Sequence, residues 1–76
     1  MPTKAPIRLL NRLRIARAEL DLSQGELALA VGVSRQTISS IETGQYCPST
    51  VLALRLAHAL GEPMERLFWL EGEINA

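Results

Sequence analysis

The chain has a single cysteine, Cys47, among its 76 residues, so no disulfide can close within it. Its apolar residues never run far. The richest stretch, Val51 to Leu60, is broken by Arg55 and His58, whereas a membrane span needs roughly 18 uninterrupted apolar residues. The N-terminus carries no apolar run of the secretory type. These absences predict a soluble protein of a reducing, cytoplasmic compartment with no membrane partner. Histidine occurs once, and His58 has no second His, Cys or acid at ligand spacing on the helix predicted to carry it, so no metal is expected. Ser34, Ser39 and Ser40 have no His or Lys base nearby and the acids are scattered. No catalytic constellation emerges, and neither an enzyme nor a bound cofactor or small-molecule ligand is expected. Cys47, beside Pro48, reads as a small thiol in a turn rather than a redox sensor.

Net charge is also missing: eight Lys and Arg balance eight Asp and Glu. A zero balance argues at first against nucleic acid, because phosphate contact usually shows as a basic excess. The distribution argues otherwise. Residues 1–40 hold six basic and three acidic side chains, whereas residues 41–76 hold two basic and five acidic. One half can therefore face phosphate while the other faces solvent or a partner. Arg8, Arg12 and Arg14 are the phosphate candidates of the basic half, although exposed arginines on a first helix are also common solubilising groups.

What the chain does have is helical punctuation. Residues 1–6, with two prolines and little apolar material, read as a flexible tail. A first helix is expected from near Ile7 to Asp21, because Leu9, Leu13, Ala16 and Leu20 recur at helical spacing. Ser23 followed by Glu26 is a capping box that starts a second helix at Gln24, and Gly32 ends it. Ser34 caps a third helix, which runs to Thr43 and stops at Gly44. Ser49 caps a fourth with Leu52, Ala53, Leu56, Ala57 and Leu60 on its buried face, closed by Gly61, and Pro63 opens a short fifth through about Leu67. The expected fold is all-α, with five helices and no strands. Residues 7–70 form one domain and residues 71–76 an acidic C-terminal tail. A core this thin is marginal alone, so pairing with a second copy is expected.

The second and third helices are joined by a turn too tight for anything but a fixed crossing. Leu27, Val31, Val33, Ile38 and Ile41 are placed to wedge that pair onto the domain, and Ala28 is small where the helices approach. Arg35, Gln36, Thr37, Ser39 and Ser40 are left to project outward, and such side chains hydrogen-bond base edges and phosphates.

In these residues the chain resembles the Cro and phage-repressor type helix-turn-helix regulators, the xenobiotic-response-element family. The matching segments are Ser23-Gln24-Gly25-Glu26-Leu27-Ala28, Val31 through Ser39, Ile41-Glu42, Gly44, Tyr46 and Pro48-Ser49, with the Leu-rich fourth helix. The resemblance covers about Ile7 to Leu70 and implies a lambda-repressor-like five-helix domain that binds double-stranded DNA and regulates transcription. It implies base contacts from Arg35, Gln36 and Ser40. It implies phosphate contacts from Gln24, Ser34, Thr37, Ser39, Thr43 and Gln45, with backbone amides near Thr43 to Gln45 contributing. It also pairs Arg17 with Glu42 as a structural ion pair. Gly25 stands where the family usually has a helix former, and Ser39 and Ser40 are shorter than the Lys, Gln or Glu common there. Base readout is therefore expected to lean on Arg35 and Gln36.

Phe68, Trp69 and Leu70 either cap the small core or join Val51 and Leu54 in a homodimer seam, since Val51 and Leu54 lie off the buried stripe of the fourth helix. Repression by promoter occupancy is the least demanding mechanism for so small a regulator. The competing class is an antitoxin or phage adaptor that uses the same fold to bind a protein. DNA binding would show strong salt dependence, and adaptor use would show little DNA affinity.

Overall fold

A computed structural model describes residues 7–72. The expected tail at residues 1–6 and most of the acidic tail, residues 73–76, lie outside them. The described chain runs β1 (Leu9–Asn11), α1 (Leu13–Glu19), α2 (Gln24–Val31), α3 (Arg35–Glu42), α4 (Thr50–Leu60), α5 (Met64–Leu67) and β2 (Phe68–Leu70).

Three helices begin at serine caps. Ser23 accepts from the Glu26 amide at 3.0 Å while Glu26 Oε1 accepts from the Ser23 amide at 2.8 Å, the full capping box. Ser34 accepts from the Thr37 amide at 3.1 Å, and Ser49 from the Leu52 amide at 3.1 Å. Gly32 and Gly61 close α2 and α4 in the left-handed conformation, with φ of 79° and 69°. A side chain would strain the backbone there.

The start of the chain departs from expectation. No helix runs from Ile7. Instead β1 pairs antiparallel with β2, in the register Leu9 to Leu70, Leu10 to Trp69 and Asn11 to Phe68. The small sheet is continued by the Arg12 amide donating to the Leu67 carbonyl and the Glu71 amide to the Arg8 carbonyl. The fold is thus mostly helical with a two-stranded sheet. The spacing of Leu9 and Leu13 imitates a helix because both pack on the core, one from a strand and one from α1. Asn11 sets the boundary: its Oδ1 accepts from the Leu13 amide at 3.0 Å, and its Nδ2 donates to the Ile41 carbonyl at 3.0 Å. Leu20, expected on the buried face, is exposed beyond the end of α1, and Asp21 turns the chain at a φ of 60°.

The core gathers Leu13, Leu27, Ile38, Ile41, Leu56 and Leu67, all fully buried. Every element from α1 to α5 contributes to it, so α3 is seated on the whole domain rather than on α2 alone. No helix among the described residues is long and apolar enough to cross a membrane.

Candidate nucleic-acid interface

Ile38 and Ile41 fix the rotation of α3 by filling its buried face. What remains outward is decided by helical geometry: Arg35 and Gln36 are exposed, and Thr37, Ser39 and Ser40 are half-buried along its flanks. The stem of Arg35 passes over the start of α2, with its Cδ 4.0 Å from where a Cβ on Gly25 would stand. The hydroxyls of Ser34 and Thr37 lie 2.9 Å apart, so one of them donates to the other.

Arg17 and Glu42 meet at the base of this surface. Arg17 Nε donates to Glu42 Oε2 at 2.8 Å and Nη2 to Oε1 at 3.2 Å, while Nη1 donates to the Leu22 carbonyl at 2.9 Å. The Glu42 side chain is 4% exposed and accepts a further bond from Gln24 Nε2 at 3.0 Å. Gln24, expected at a phosphate, is therefore held by the same carboxylate that anchors Arg17. Its second N–H and its carbonyl are left for a ligand. Nothing in the spacing of Gln24 and Glu42 announces this bond, because it forms only where the start of α2 crosses the end of α3.

The loop after α3 is tied back onto the helix. The Thr43 amide donates to the Ser39 carbonyl, that of Gly44 to Ile41, and those of Gln45 and Tyr46 to Ser40, at 2.8 to 3.2 Å. The Thr43 hydroxyl donates to the Ser39 and Ser40 carbonyls at 3.1 and 3.3 Å. The backbone donors expected to face phosphate between Thr43 and Gln45 are thus turned inward. The Gln45 and Tyr46 side chains are exposed beside them, and with Gln36, Thr37 and Ser40 they line a shallow cleft of about 320 Å³.

The basic half is more neutral than its sequence suggests. Arg12 donates to both Glu62 oxygens at 2.7 and 2.9 Å and to Glu19 at 3.2 Å. The Glu62 bonds hold its pKa above the ordinary value. Arg8 lies 3.5 Å from Glu71. Among the described residues, Arg14 and Arg35 are the cations of the N-terminal half that form no ion pair.

Outside α3, Val51 and Leu54 are exposed along α4, 63% and 52%, and Trp69 and Leu70 are exposed on β2. Phe68, a candidate for the same seam, is 8% exposed and belongs to the monomer's own core. It is directed inward on the sheet face that carries Leu9, which also packs on the core, and it packs where β2 leaves α5.

A family model described as helix-turn-helix matches residues 13–67. The chain is similar to YgzD, an HTH-type transcriptional regulator of Bacillus subtilis, with 46% identity over 63 residues that cover 83% of this chain and 96% of that protein. Among solved structures it is similar to the restriction-modification controller protein C.AhdI of Aeromonas hydrophila, with a TM-score of 0.71, 40% identity, and coverage of 75% of this chain and 86% of the other. It is also similar to the P22 c2 repressor, solved in complex with a synthetic operator, with a TM-score of 0.69, 33% identity, and coverage of 71% and 82%.

Proposed function

The chain belongs to the helix-turn-helix family, and from that premise we propose that it seats α3 in the major groove of duplex DNA and reads base edges with Arg35, Gln36 and Ser40. It is a DNA-binding transcriptional regulator. The observation that carries the docking is the orientation of α3: Ile38 and Ile41 are buried, and Arg35 and Gln36 stand exposed at its start. The N-terminal residues of a recognition helix are those that reach base edges. An Arg bonds guanine O6 and N7 together, and a Gln does the same to adenine N6 and N7. Gln24, Ser34, Thr37, Ser39, Thr43 and Gln45 flank the readers as phosphate contacts, with Gln24 offering its second N–H. Thr43 would have to exchange the bonds its hydroxyl now makes.

The protein works in the cytoplasm as a homodimer paired through Val51, Leu54, Trp69 and Leu70, and it represses by occupying a promoter. Exposed apolar side chains on α4 and β2 of a small domain support the pairing. Two-fold symmetry would place the two copies of α3 about one helical turn, ~34 Å, apart on DNA.

Selection of bound fragments from random duplex DNA tests the reading. The wild-type protein should enrich one motif, and Arg35→Ala should relax the preference at one position of each half-site, about 1–3 kcal/mol of discrimination. An unchanged motif would remove Arg35 from the readers.

A further inference from the structure

We propose that Tyr46 is a further DNA contact, its hydroxyl donating to a backbone phosphate at the edge of the groove entered by α3. The inference rests on the DNA-binding reading above and adds a residue to it.

A phosphate beside the end of α3 needs N–H or O–H groups directed outward. The amides of Thr43, Gly44, Gln45 and Tyr46 are all spent on carbonyls of α3, and so is the Thr43 hydroxyl. Among the side chains of the loop, those of Gln45 and Tyr46 are exposed and carry N–H or O–H donors. Two of those inward bonds also fix Tyr46 in place: its own amide and that of Gln45 converge on the Ser40 carbonyl at 3.2 and 2.8 Å. This holds the aromatic residue against the side of α3, where it lines the cleft with Gln36, Thr37, Ser40 and Gln45. Tyr46 is 47% exposed, and its hydroxyl makes no hydrogen bond to any described residue.

Location decides between backbone and base. Tyr46 lies beyond the C-terminal end of α3, past Ser40, the last of the proposed base readers. Thr37 and Gln45, both proposed phosphate contacts, line the cleft beside it. Charge supplies the remaining reason. Among the described residues Arg8, Arg12 and Arg17 are each held by an acid, so neutral donors carry part of the anchoring beside Arg14 and Arg35. A tyrosine hydroxyl is protonated at neutral pH and donates without adding charge.

The experiment uses the full chain and the duplex selected by the wild-type protein. Affinities of wild type, Tyr46→Phe and Tyr46→Ala are measured on that duplex and on a singly mismatched one, over a range of salt. Tyr46→Phe should bind about tenfold more weakly on both duplexes, with the wild-type melting temperature. Its dependence on salt should keep the wild-type slope, because no charge is lost. Scanning single methylphosphonate substitutions along the duplex should locate one phosphate whose replacement weakens wild type and leaves Tyr46→Phe unaffected. Equal affinity of Tyr46→Phe and wild type overturns the assignment. So does a loss confined to Tyr46→Ala and to one base pair, which would make the ring a base reader. A wild-type protein that enriches no duplex overturns the DNA-binding reading itself, and the Tyr46 contact with it.

Discussion

Glu42 receives three hydrogen bonds from two side chains that come from different helices. Arg17 in α1 and Gln24 at the start of α2 converge on it, so a carboxylate taken out of water is compensated by one charge and one amide. Removing it leaves the mostly buried Arg17 guanidinium with only the Leu22 carbonyl. Breaking a buried pair from one side costs more than the pair itself contributes, because the surviving charge stays desolvated. Glu42→Ala should therefore lower stability by about 3 kcal/mol in denaturant titration, and a loss below about 0.5 kcal/mol, ordinary for a surface site, would refute the buried-network account. The ion pair of Arg17 and Glu42 was legible through the resemblance of the motif. The share of Gln24 in it was not, because 18 residues separate the partners and only the crossing of α2 and α3 brings them together. Asn11 was missed for a related reason: it caps the start of α1 and donates to Ile41, a residue 30 positions away.

At the scale of elements, the helices were readable where their ends are local events. A serine oxygen three residues before a free amide, or a glycine where the chain must turn left-handed, acts within a few residues and leaves its mark in the sequence. The bounds of α2, α3 and α4 follow from such marks, and Pro63 marks the start of α5. The strands have none. β1 and β2 are three residues each and pair across about sixty residues of chain, so neither has enough alternation to be recognised alone. The Leu9 to Leu13 spacing then reads as helix by default. The cap of α3 is the element of greatest functional weight, since Ser34 holds both the Thr37 amide and the Thr37 hydroxyl beside the exposed Arg35 and Gln36. Ser34→Ala should cost about 1 kcal/mol of stability and should weaken DNA binding beyond that of an equally destabilised core variant. If binding follows stability alone when the two variants are compared, the cap has no part in presenting the readers.

For the whole molecule, the two faces have different chemistry. The face of α3 is polar, whereas α4 exposes Val51 and Leu54 and β2 exposes Trp69 and Leu70. A chain of 76 residues buries a thin core, with Phe68 already committed to it, and pairing would remove these four side chains from water. Trp69→Ala should shift sedimentation from dimer to monomer and weaken operator binding by at least about tenfold, since aromatic anchors dominate small interfaces. A wild-type protein that sediments as a monomer at high micromolar concentration would refute the pairing. The whole-molecule charge also reads differently once folded. The sequence places six basic residues in the first 40, yet Arg8, Arg12 and Arg17 face acids of the C-terminal half in the structure, Glu71, Glu62 and Glu42.

The order of residues alone determined the helix caps, the apolar wedge of α2 and α3, and the outward set headed by Arg35 and Gln36, because each depends on neighbours within a turn or two of helix. Tertiary structure decided which arginines keep their charge unpaired, that residues 9–11 form a strand, that Phe68 turns inward, and that the loop amides after α3 turn inward while Tyr46 faces out. Those outcomes depend on partners distant in the chain or on how a loop packs against its helix, and a contact between remote residues is fixed by the packing of the core rather than by any pattern in the segments that make it.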